Sequence, residues 1–269
     1  MLKRKLLTWG LLLALLCAFA GLAEESPALR GYDKENGYVY LTLGEYPQTA
    51  EGGVKPILWR VLTVDAEKAY LCSEYILFAR PMHPSNKEYR DVLKGDFGQT
   101  ELCQYLNTTF ASQAFTEAQL DMLLPCENFG KVFLLDYEDA KNTEIGLGST
   151  HKGATWTKKI TEDPGLRAWG TEYAIQNNGV TKAKERLYVF QKKYGRCSPY
   201  WVRNQSTSDG RHARCTKDGG QLGHIEVARE NEGVRPVLYL AQGSYVITGG
   251  EGTFEKPYEI APATTEVAE

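Results

Sequence analysis

The chain has 269 residues, of which 42% are hydrophobic, 24% are charged and 11% are aromatic, and its formal net charge is −3. This composition is close to that of an average soluble globular protein, which excludes collagen-like, disordered and multi-span membrane classes. A mildly acidic chain has no general positive field for holding phosphates, so we expect no nucleic-acid partner.

Residues 1–23 have the parts of a secretory signal peptide. Positive residues at Lys3–Lys5 precede an apolar run from Leu6 to Ala20, and small residues permit cleavage after Ala20 or Ala23. The run is shorter than the roughly 20 residues of a membrane-spanning helix, so an uncleaved anchor is the less favoured interpretation. We therefore expect a secreted or cell-surface protein with no membrane span after signal cleavage.

Strand patterns dominate the first part of the mature chain. A polar lead-in at residues 24–37 is followed by an alternating stretch from Tyr38 to Leu43, which predicts a strand with one buried face. Ile57–Val64 is apolar on both faces, which predicts a central strand. Further strands are predicted at Lys68–Cys72 and Tyr75–Phe78.

Capping residues and apolar stripes predict helices in the middle of the chain. Thr100 precedes a helical stripe of three residues, Leu102, Tyr105 and Leu106. Thr116 and Gln119 form a capping box at the start of a second helix. Its buried edge is expected to comprise the leucines that follow, Leu120, Leu123 and Leu124.

A third helix is predicted to start at Asp163 and Pro164 and to end at residues 177–179. Its apolar face comprises three residues, Leu166, Trp169 and Tyr173. Between the second and third helices we expect a short strand at Val132–Leu135 and a helix or turn at Tyr137–Lys141.

The last third of the chain returns to strand patterns, at Tyr200–Asn204, Ala213–Thr216, Gln221–Val227 and Val234–Leu240. This order predicts an α+β fold, because a parallel α/β fold would alternate strands and helices. We expect one globular domain over residues 38–247, with six of its core residues being Trp59, Val61, Leu120, Leu123, Val234 and Leu238.

Residues 248–269 are predicted to form a Gly-rich turn and a flexible acidic tail. Pro257 and Tyr258 are expected to close a short hairpin with residues 245–247. The residues beyond Ala261 have no core-forming pattern, so they are expected to be mobile.

Five cysteines remain after the predicted cleavage, namely Cys72, Cys103, Cys126, Cys197 and Cys215. Their spacings include no C-x-x-C motif and no zinc-ribbon pattern, and the sequence leaves every disulfide pairing open. The four histidines are scattered, so we expect no metal and no other cofactor.

Searches for catalytic motifs find none that is complete. Gly148–Gly153 has the glycine spacing of a phosphate-binding loop, but Ala154 occupies the position of its lysine. The basic segment at residues 182–196 is interpreted as a solvated connector, since an exported acidic protein is a poor candidate for nucleic-acid binding.

Two segments near the C-terminus resemble a bacterial family. Pro199–Asn204 and Gly233–Leu240 are similar to the W-W-L-R-S and G-V-R-P-A-L-W-L ending of the domain of unknown function 6273 family. Further segments similar to that family occur in register at residues 43–48, 56–62, 105–110, 132–135 and 171–174. The departures are Asn204, where the family usually has serine, and Tyr105, where it often has tryptophan.

The ending of this family resembles that of C-type-lectin-like folds, which include the formylglycine-generating enzymes. The resemblance implies a C-type-lectin-like α+β domain with mixed antiparallel sheets and two to three short helices. The redox-active cysteine pair of the enzymes and the calcium loop of true lectins have no counterpart in this chain, so neither activity is carried over and no catalytic residue is expected.

Three neighbouring residues, Tyr200, Trp201 and Arg203, are the predicted ligand-binding set. An aromatic ring can stack on a sugar, and a guanidinium group can bind a carboxylate. The alternative is that Trp201 lies in the core and that Arg203 is structurally paired. We expect a non-catalytic binding or surface-interaction module for a glycan or cell-envelope ligand, the alternative being an oxidoreductase that resembles formylglycine-generating oxidases.

Overall fold

The structure is a computed structural model that describes residues 28–148, 165–180, 197–206 and 210–263. Several sequence predictions lie outside these ranges: the signal peptide, the helix start at Asp163 and Pro164, the basic segment at residues 182–196 and the last six residues.

The two longest strands come first, β1 (Val39–Pro47) and β2 (Val54–Val64). The other strands of the described residues are β3 (Lys68–Ser73), β4 (Phe78–Ala79), β5 (Leu123–Leu124), β6 (Val132–Phe133), β7 (Trp201–Gln205), β8 (His212–Thr216), β9 (Leu222–Glu226), β10 (Gly233–Val234), β11 (Val237–Ala241), β12 (Tyr245–Gly249) and β13 (Tyr258–Pro262).

The helices are short: α1 (Asn86–Asp91), α2 (Glu101–Tyr105), α3 (Ala111–Ala114), α4 (Glu117–Asp121), α5 (Tyr137–Lys141) and α6 (Glu172–Asn177). A π-helical segment at Leu106–Phe110 joins α2 to α3. Within the described residues, no helix is both long enough and apolar enough to cross a membrane.

An eight-stranded mixed sheet organises the fold. Its strand order is β12-β13-β1-β2-β3-β11-β5, and β6 also pairs with β11. The β1–β13 pair is parallel, and the other pairs are antiparallel. Two smaller sheets, β10-β4 and β7-β8-β9, complete the strand pairing. The α+β class is thereby confirmed, and the C-type-lectin-like arrangement stays a prediction.

The positions of the first two strands follow from their side-chain patterns. Alternate residues of β1, Val39, Leu41 and Leu43, are buried, whereas Tyr40 and Thr42 on the opposite face are half-buried. β2 lies between β1 and β3, which confirms the central position predicted from its two apolar faces.

The core lies against the inner face of the large sheet. The Trp59 ring stacks on Phe115 with a centroid distance of 6.4 Å. Five of the six predicted core residues are buried, namely Trp59, Val61, Leu123, Val234 and Leu238. Leu120 is half-buried, so its prediction as a core residue was wrong.

The predicted helix starts at Thr100 and Thr116 are confirmed. The Thr100 hydroxyl accepts a hydrogen bond from the Cys103 amide. Thr116 and Gln119 make both hydrogen bonds of the capping box. These side chains satisfy amides that the first turn of a helix leaves without partners.

The second helix ends earlier than its leucines predict. α4 ends at Asp121, and Leu123 and Leu124 form strand β5. These two leucines pair with Leu240 and Tyr239 of β11. Sheet pairing therefore replaces the predicted continuation of the helical stripe.

The third helix starts later than Asp163. Residues 165–170 are not helical, and the N-cap of α6 is Thr171, whose hydroxyl accepts a hydrogen bond from the Ala174 amide. The backbone before the helix pairs with the chain at Ile76 instead, through Gly170 and the Thr171 amide. The end of the helix at Asn177 agrees with the prediction.

The stretch Val234–Leu240, predicted as one strand, is divided between two sheets. β10 pairs with β4, and β11 pairs with β3, β5 and β6. Pro236 lies between them and has no backbone N–H to contribute to a sheet.

The predicted C-terminal hairpin is confirmed and extends the large sheet. β12 and β13 pair antiparallel, with Tyr245 opposite Pro262. β13 also pairs with β1, where Leu41 lies opposite Tyr258. The sheet therefore continues beyond Ile247, the end of the domain expected from the sequence. It includes Pro262, and the Ala263 amide donates to the Ser244 carbonyl, so the prediction that residues beyond Ala261 are mobile was wrong for these two.

Candidate functional site

The aromatic members of the predicted ligand-binding set lie in the interior. Tyr200 and Trp201 have no exposed surface. The Tyr200 hydroxyl donates a hydrogen bond to the Leu166 carbonyl and accepts one from Arg235 at 3.1 Å. The Trp201 indole N–H donates to the Arg80 carbonyl at 2.8 Å. Both residues are fully engaged in the fold, so neither presents a ring face to a ligand.

Arg203 is also used by the fold. Its Nη2 atom lies 3.0 Å from a carboxylate oxygen of Asp136, and its Nη1 atom donates to the Leu134 carbonyl at 2.8 Å. The guanidinium group lies over the Phe129 ring at 5.0 Å. The strand is covered on both faces near Trp201, because Val202 is buried as well. The structure thus brings the three residues together, but as packing and pairing residues.

A row of aromatic rings lies on the outward face of β1, and we call it the aromatic row. It consists of Tyr32, Tyr38, Tyr40 and Phe254. Successive ring centroids are 4.8, 6.2 and 5.4 Å apart along this order. The three tyrosines are half-buried, and Phe254 is 43% exposed. The rings are therefore held by one another while part of their surface reaches solvent.

A buried ion pair supports the aromatic row from the neighbouring strands. Arg60 lies opposite Tyr40 in the β1–β2 register. Its guanidinium group binds both carboxylate oxygens of Glu74 and lies 4.8 Å from the centre of the Tyr38 ring. Burial alone would raise the pKa of Glu74, but the attraction of Arg60 outweighs it and lowers that pKa. Both groups of the pair are therefore charged, and the paired guanidinium group packs against the Tyr38 ring.

The tyrosine hydroxyls of the row differ in how they are used. The Tyr38 hydroxyl donates to the Gly146 carbonyl, and burial raises the pKa of Tyr38 to about 12. The Tyr40 hydroxyl makes no hydrogen bond with any residue that the structure describes. Tyr40 can therefore offer both a ring surface and a polar group to a bound molecule.

An open cleft of about 530 Å³ adjoins the aromatic row, and we call it the acidic cleft. Its lining residues are Thr42, Pro56, Gly250, Glu251, Glu255, Lys256, Pro257 and Glu259. Thr42 is on the same face of β1 as Tyr40, and Phe254 directly precedes Glu255 in the loop that contributes most of the lining. Aromatic rings and carboxylate groups therefore lie on neighbouring residues at this edge of β1.

The sequence contains one signal for this surface, in the residues at the start of β1. Tyr38 and Tyr40 occupy outward positions of an alternating strand, where polar residues are usual. The sequence has no comparable signal for Phe254 and the three glutamates, because they reach β1 only through the parallel pairing of β13.

The cysteines do not form a reactive centre in the described residues. Cys72, Cys103, Cys197 and Cys215 are buried, and burial raises the pKa of each thiol. The five cysteines that the structure describes are all unpaired. A buried thiol with a raised pKa is a poor nucleophile, because the thiolate is the reactive form.

Comparisons of the chain with protein-family models, with curated proteins and with solved structures found no match.

Proposed function

We propose that the chain is a non-catalytic saccharide-binding module, and that the aromatic row and the acidic cleft form its binding surface. The observation that carries the proposal is the row of four partly exposed rings, in which Phe254 is the neighbour in sequence of Glu255 of the open cleft. The predicted signal peptide supports the same proposal, because it would bring the module to glycans outside the cytosol.

The chemistry of this surface suits a sugar. Aromatic rings provide a flat apolar area for the C–H face of a pyranose, and carboxylates accept hydrogen bonds from its hydroxyl groups. The rings are held in place before any ligand binds, since Tyr38 is anchored to Gly146 and the Tyr40 ring contacts Phe254. Such preorganisation lowers the entropic cost of binding.

A second open cleft of about 530 Å³ is a weaker candidate. Its lining residues are Glu226, Ala228, Arg229, Glu230 and Asn231. Within the described part of the chain, this lining contains no aromatic ring. It therefore has polar groups for a ligand but no surface on which a sugar ring could stack.

The alternative of an oxidoreductase finds less support in the structure. An enzyme of that kind needs cysteines that are accessible and readily ionised, whereas burial raises the pKa of four of the described thiols. We therefore place the oxidoreductase second.

The proposal predicts that single ring deletions weaken sugar binding. Oligosaccharide ligands identified on a glycan array would be titrated against the full chain and against Tyr40→Ala and Phe254→Ala. Loss of one stacking ring should weaken binding by about tenfold, which corresponds to about 1.4 kcal/mol. Phe254→Ala should leave the melting temperature nearly unchanged, because its side chain is already 43% exposed.

Tyr137→Ala is the matched control, since Tyr137 is a partly exposed tyrosine on α5 outside the aromatic row. This variant should bind the same oligosaccharides as the unmodified chain. Equal affinity of Tyr40→Ala, Phe254→Ala and the unmodified chain would contradict the proposed surface.

A further inference from the structure

A second group of polar side chains lies at the opposite end of β1 from the aromatic row, and we call it the tyrosine–arginine cluster. It consists of Tyr46, Arg80, Tyr105 and Tyr173. Tyr46 belongs to β1, Arg80 directly follows β4, and the other two residues belong to α2 and α6. Four elements that are distant in the chain therefore meet here.

Packing between rings holds the cluster together. The guanidinium carbon of Arg80 lies 4.1 Å from the centre of the Tyr105 ring. The Tyr105 ring packs edge-to-face on Phe78 with a centroid distance of 5.5 Å, and Phe78 contacts Tyr46 at 5.8 Å. The Tyr46 ring packs edge-to-face on Tyr173 at 6.5 Å. The positions of the four side chains are therefore set by the core beneath them.

The fold supplies no acceptor for the polar ends of these side chains. Tyr46 is only 6% exposed, and burial together with the neighbouring Tyr105 hydroxyl raises its pKa, whereas the Arg80 guanidinium acts in the opposite direction. Apart from the contact between the Tyr46 and Tyr105 hydroxyls, no side-chain hydrogen bond or ion pair joins the cluster to another described residue. A guanidinium group and phenolic O–H groups therefore converge with hydrogen bonds left to donate.

Arg80 is the member of the cluster for which a missing partner costs most. It is half-buried, and its guanidinium group stays charged in a protein. Its backbone is fixed, because its amide donates to the Glu232 carbonyl at 3.3 Å and its carbonyl accepts from the Trp201 indole at 2.8 Å. A guanidinium group that lies over an aromatic ring keeps its N–H edge free for the oxygens of a carboxylate or phosphate.

We infer that the tyrosine–arginine cluster binds an oxyanion, namely the carboxylate or phosphate group of a small molecule, with Arg80 as the charged partner and the tyrosine hydroxyls as further donors. Hydrogen bonds between charged groups are stronger than those between neutral groups. Arg80, Tyr105 and Tyr173 are each partly exposed, so an anion can reach the donors from solvent. The cluster is separate from the aromatic row, so it would bind its anion whether or not the row binds a sugar.

The test compares three ligands that share one sugar ring. Glucose, glucuronate and glucose 6-phosphate would be titrated by calorimetry against the full chain at a constant ionic strength of about 0.1 M. At least one of the two anions should bind about tenfold more tightly than glucose. The tighter of the two would identify the preferred group as a carboxylate or as a phosphate. Absence of binding, or equal binding of all three ligands, would overturn the oxyanion site.

Arg80→Met keeps an apolar stem and removes the charge, so it should reduce the preference over glucose to less than about twofold. Arg229→Met is the matched control, because Arg229 is an exposed arginine outside the cluster, and it should keep the tenfold ratio. Tyr40→Ala should also keep this ratio, which separates the oxyanion site from the aromatic row. An anion preference that survives in a folded Arg80→Met chain would overturn the assignment to this cluster.

A milder change covers the case in which Arg80→Met does not fold. Tyr173→Phe keeps the ring and removes one hydroxyl donor, so it should weaken binding of the preferred anion by about fivefold and leave the melting temperature nearly unchanged. Unchanged affinity of this variant for the anion would show that the tyrosine hydroxyl takes no part in binding and would overturn the site as described.

Discussion

Glu232 is a carboxyl group in the interior of the molecule. Its residue is only 3% exposed, and one carboxylate oxygen has no hydrogen-bond partner among the described residues. Burial raises the pKa of Glu232 to about 7, although Lys217 and a hydrogen bond from the Cys215 thiol act in the opposite direction. The folded chain therefore holds this proton more tightly than the unfolded chain, in which the pKa is near 4.5.

The raised pKa predicts that Glu232 makes stability depend on pH. Its contribution is fully present below about pH 4.5 and is lost as the pH rises through about 7, because ionisation of the buried carboxyl is unfavourable. Between about pH 5 and about pH 8, the unmodified chain should lose up to about 3 kcal/mol of unfolding free energy relative to Glu232→Gln. Denaturant titrations of both chains at these two pH values measure the difference.

The exposed neighbour Glu230 supplies the control for this experiment. Glu230→Gln should follow the pH dependence of the unmodified chain. Parallel pH profiles for the unmodified chain and Glu232→Gln would show that Glu232 does not hold its proton in the folded state.

The sequence predicts the direction of some side chains but not which of them are covered by other parts of the chain. The alternation around Tyr38 and Tyr40 predicts which of their side chains face outward, because that depends only on strand geometry. The roles of Trp201 and Arg203 depend on which layers cover β7, and strand geometry does not specify this. Alternation predicts that Trp201 and Arg203 share one face of the strand and that Tyr200 and Val202 share the other, and the chain covers both faces near Trp201.

At the scale of elements, α4 and β5 offer a matched pair of leucines. Leu123 is 2% exposed and its strand pairs with β11, whereas Leu120 is a half-buried residue of α4. Leu123→Ala should reduce the free energy of unfolding by about 2–5 kcal/mol, because it leaves a cavity in a packed core. Leu120→Ala should cost about 1 kcal/mol, because less of its surface is removed from water.

Denaturant unfolding of the two leucine variants measures both losses under the same conditions. A similar loss for both would mean that they share one buried face, as a continuous helix over residues 117–124 requires.

The helix starts are more predictable than this helix end, because the capping residues Thr100 and Thr116 act within their own first turn. The end of α4 depends on a partner strand more than a hundred residues away.

At the scale of the whole molecule, the two ends of the described chain meet in one sheet. β13 lies between β12 and β1, so the C-terminal hairpin adds directly to the first strand. The local sequence predicts the hairpin, because its turn residues and strands are adjacent in the chain. It does not predict the parallel pairing of Leu41 with Tyr258, for which no short-range signal exists. The lining of the acidic cleft includes Thr42 of β1 and Glu259 of β13. The local sequence therefore does not predict the candidate site either.

Two truncations test how far this sheet supports the molecule. A chain that ends at Ala263 keeps β13, and its melting temperature should stay within about 2 °C of the full chain. A chain that ends at Gly249 loses β13 and the loop of the acidic cleft, which leaves β12 without its partner and exposes the edge of β1. Because Tyr258 and Ile260 pack against the core, its melting temperature should fall by about 10 °C or more.

Saccharide binding should distinguish the same two truncations. The chain ending at Ala263 keeps the aromatic row and the acidic cleft, so its affinity should equal that of the full chain. The chain ending at Gly249 lacks Phe254 and all three glutamates of the cleft, so it should not bind even at temperatures where it remains folded. Retained binding by the shorter chain would place the site elsewhere. An unchanged melting temperature would show that the hairpin adds to the sheet without stabilising it.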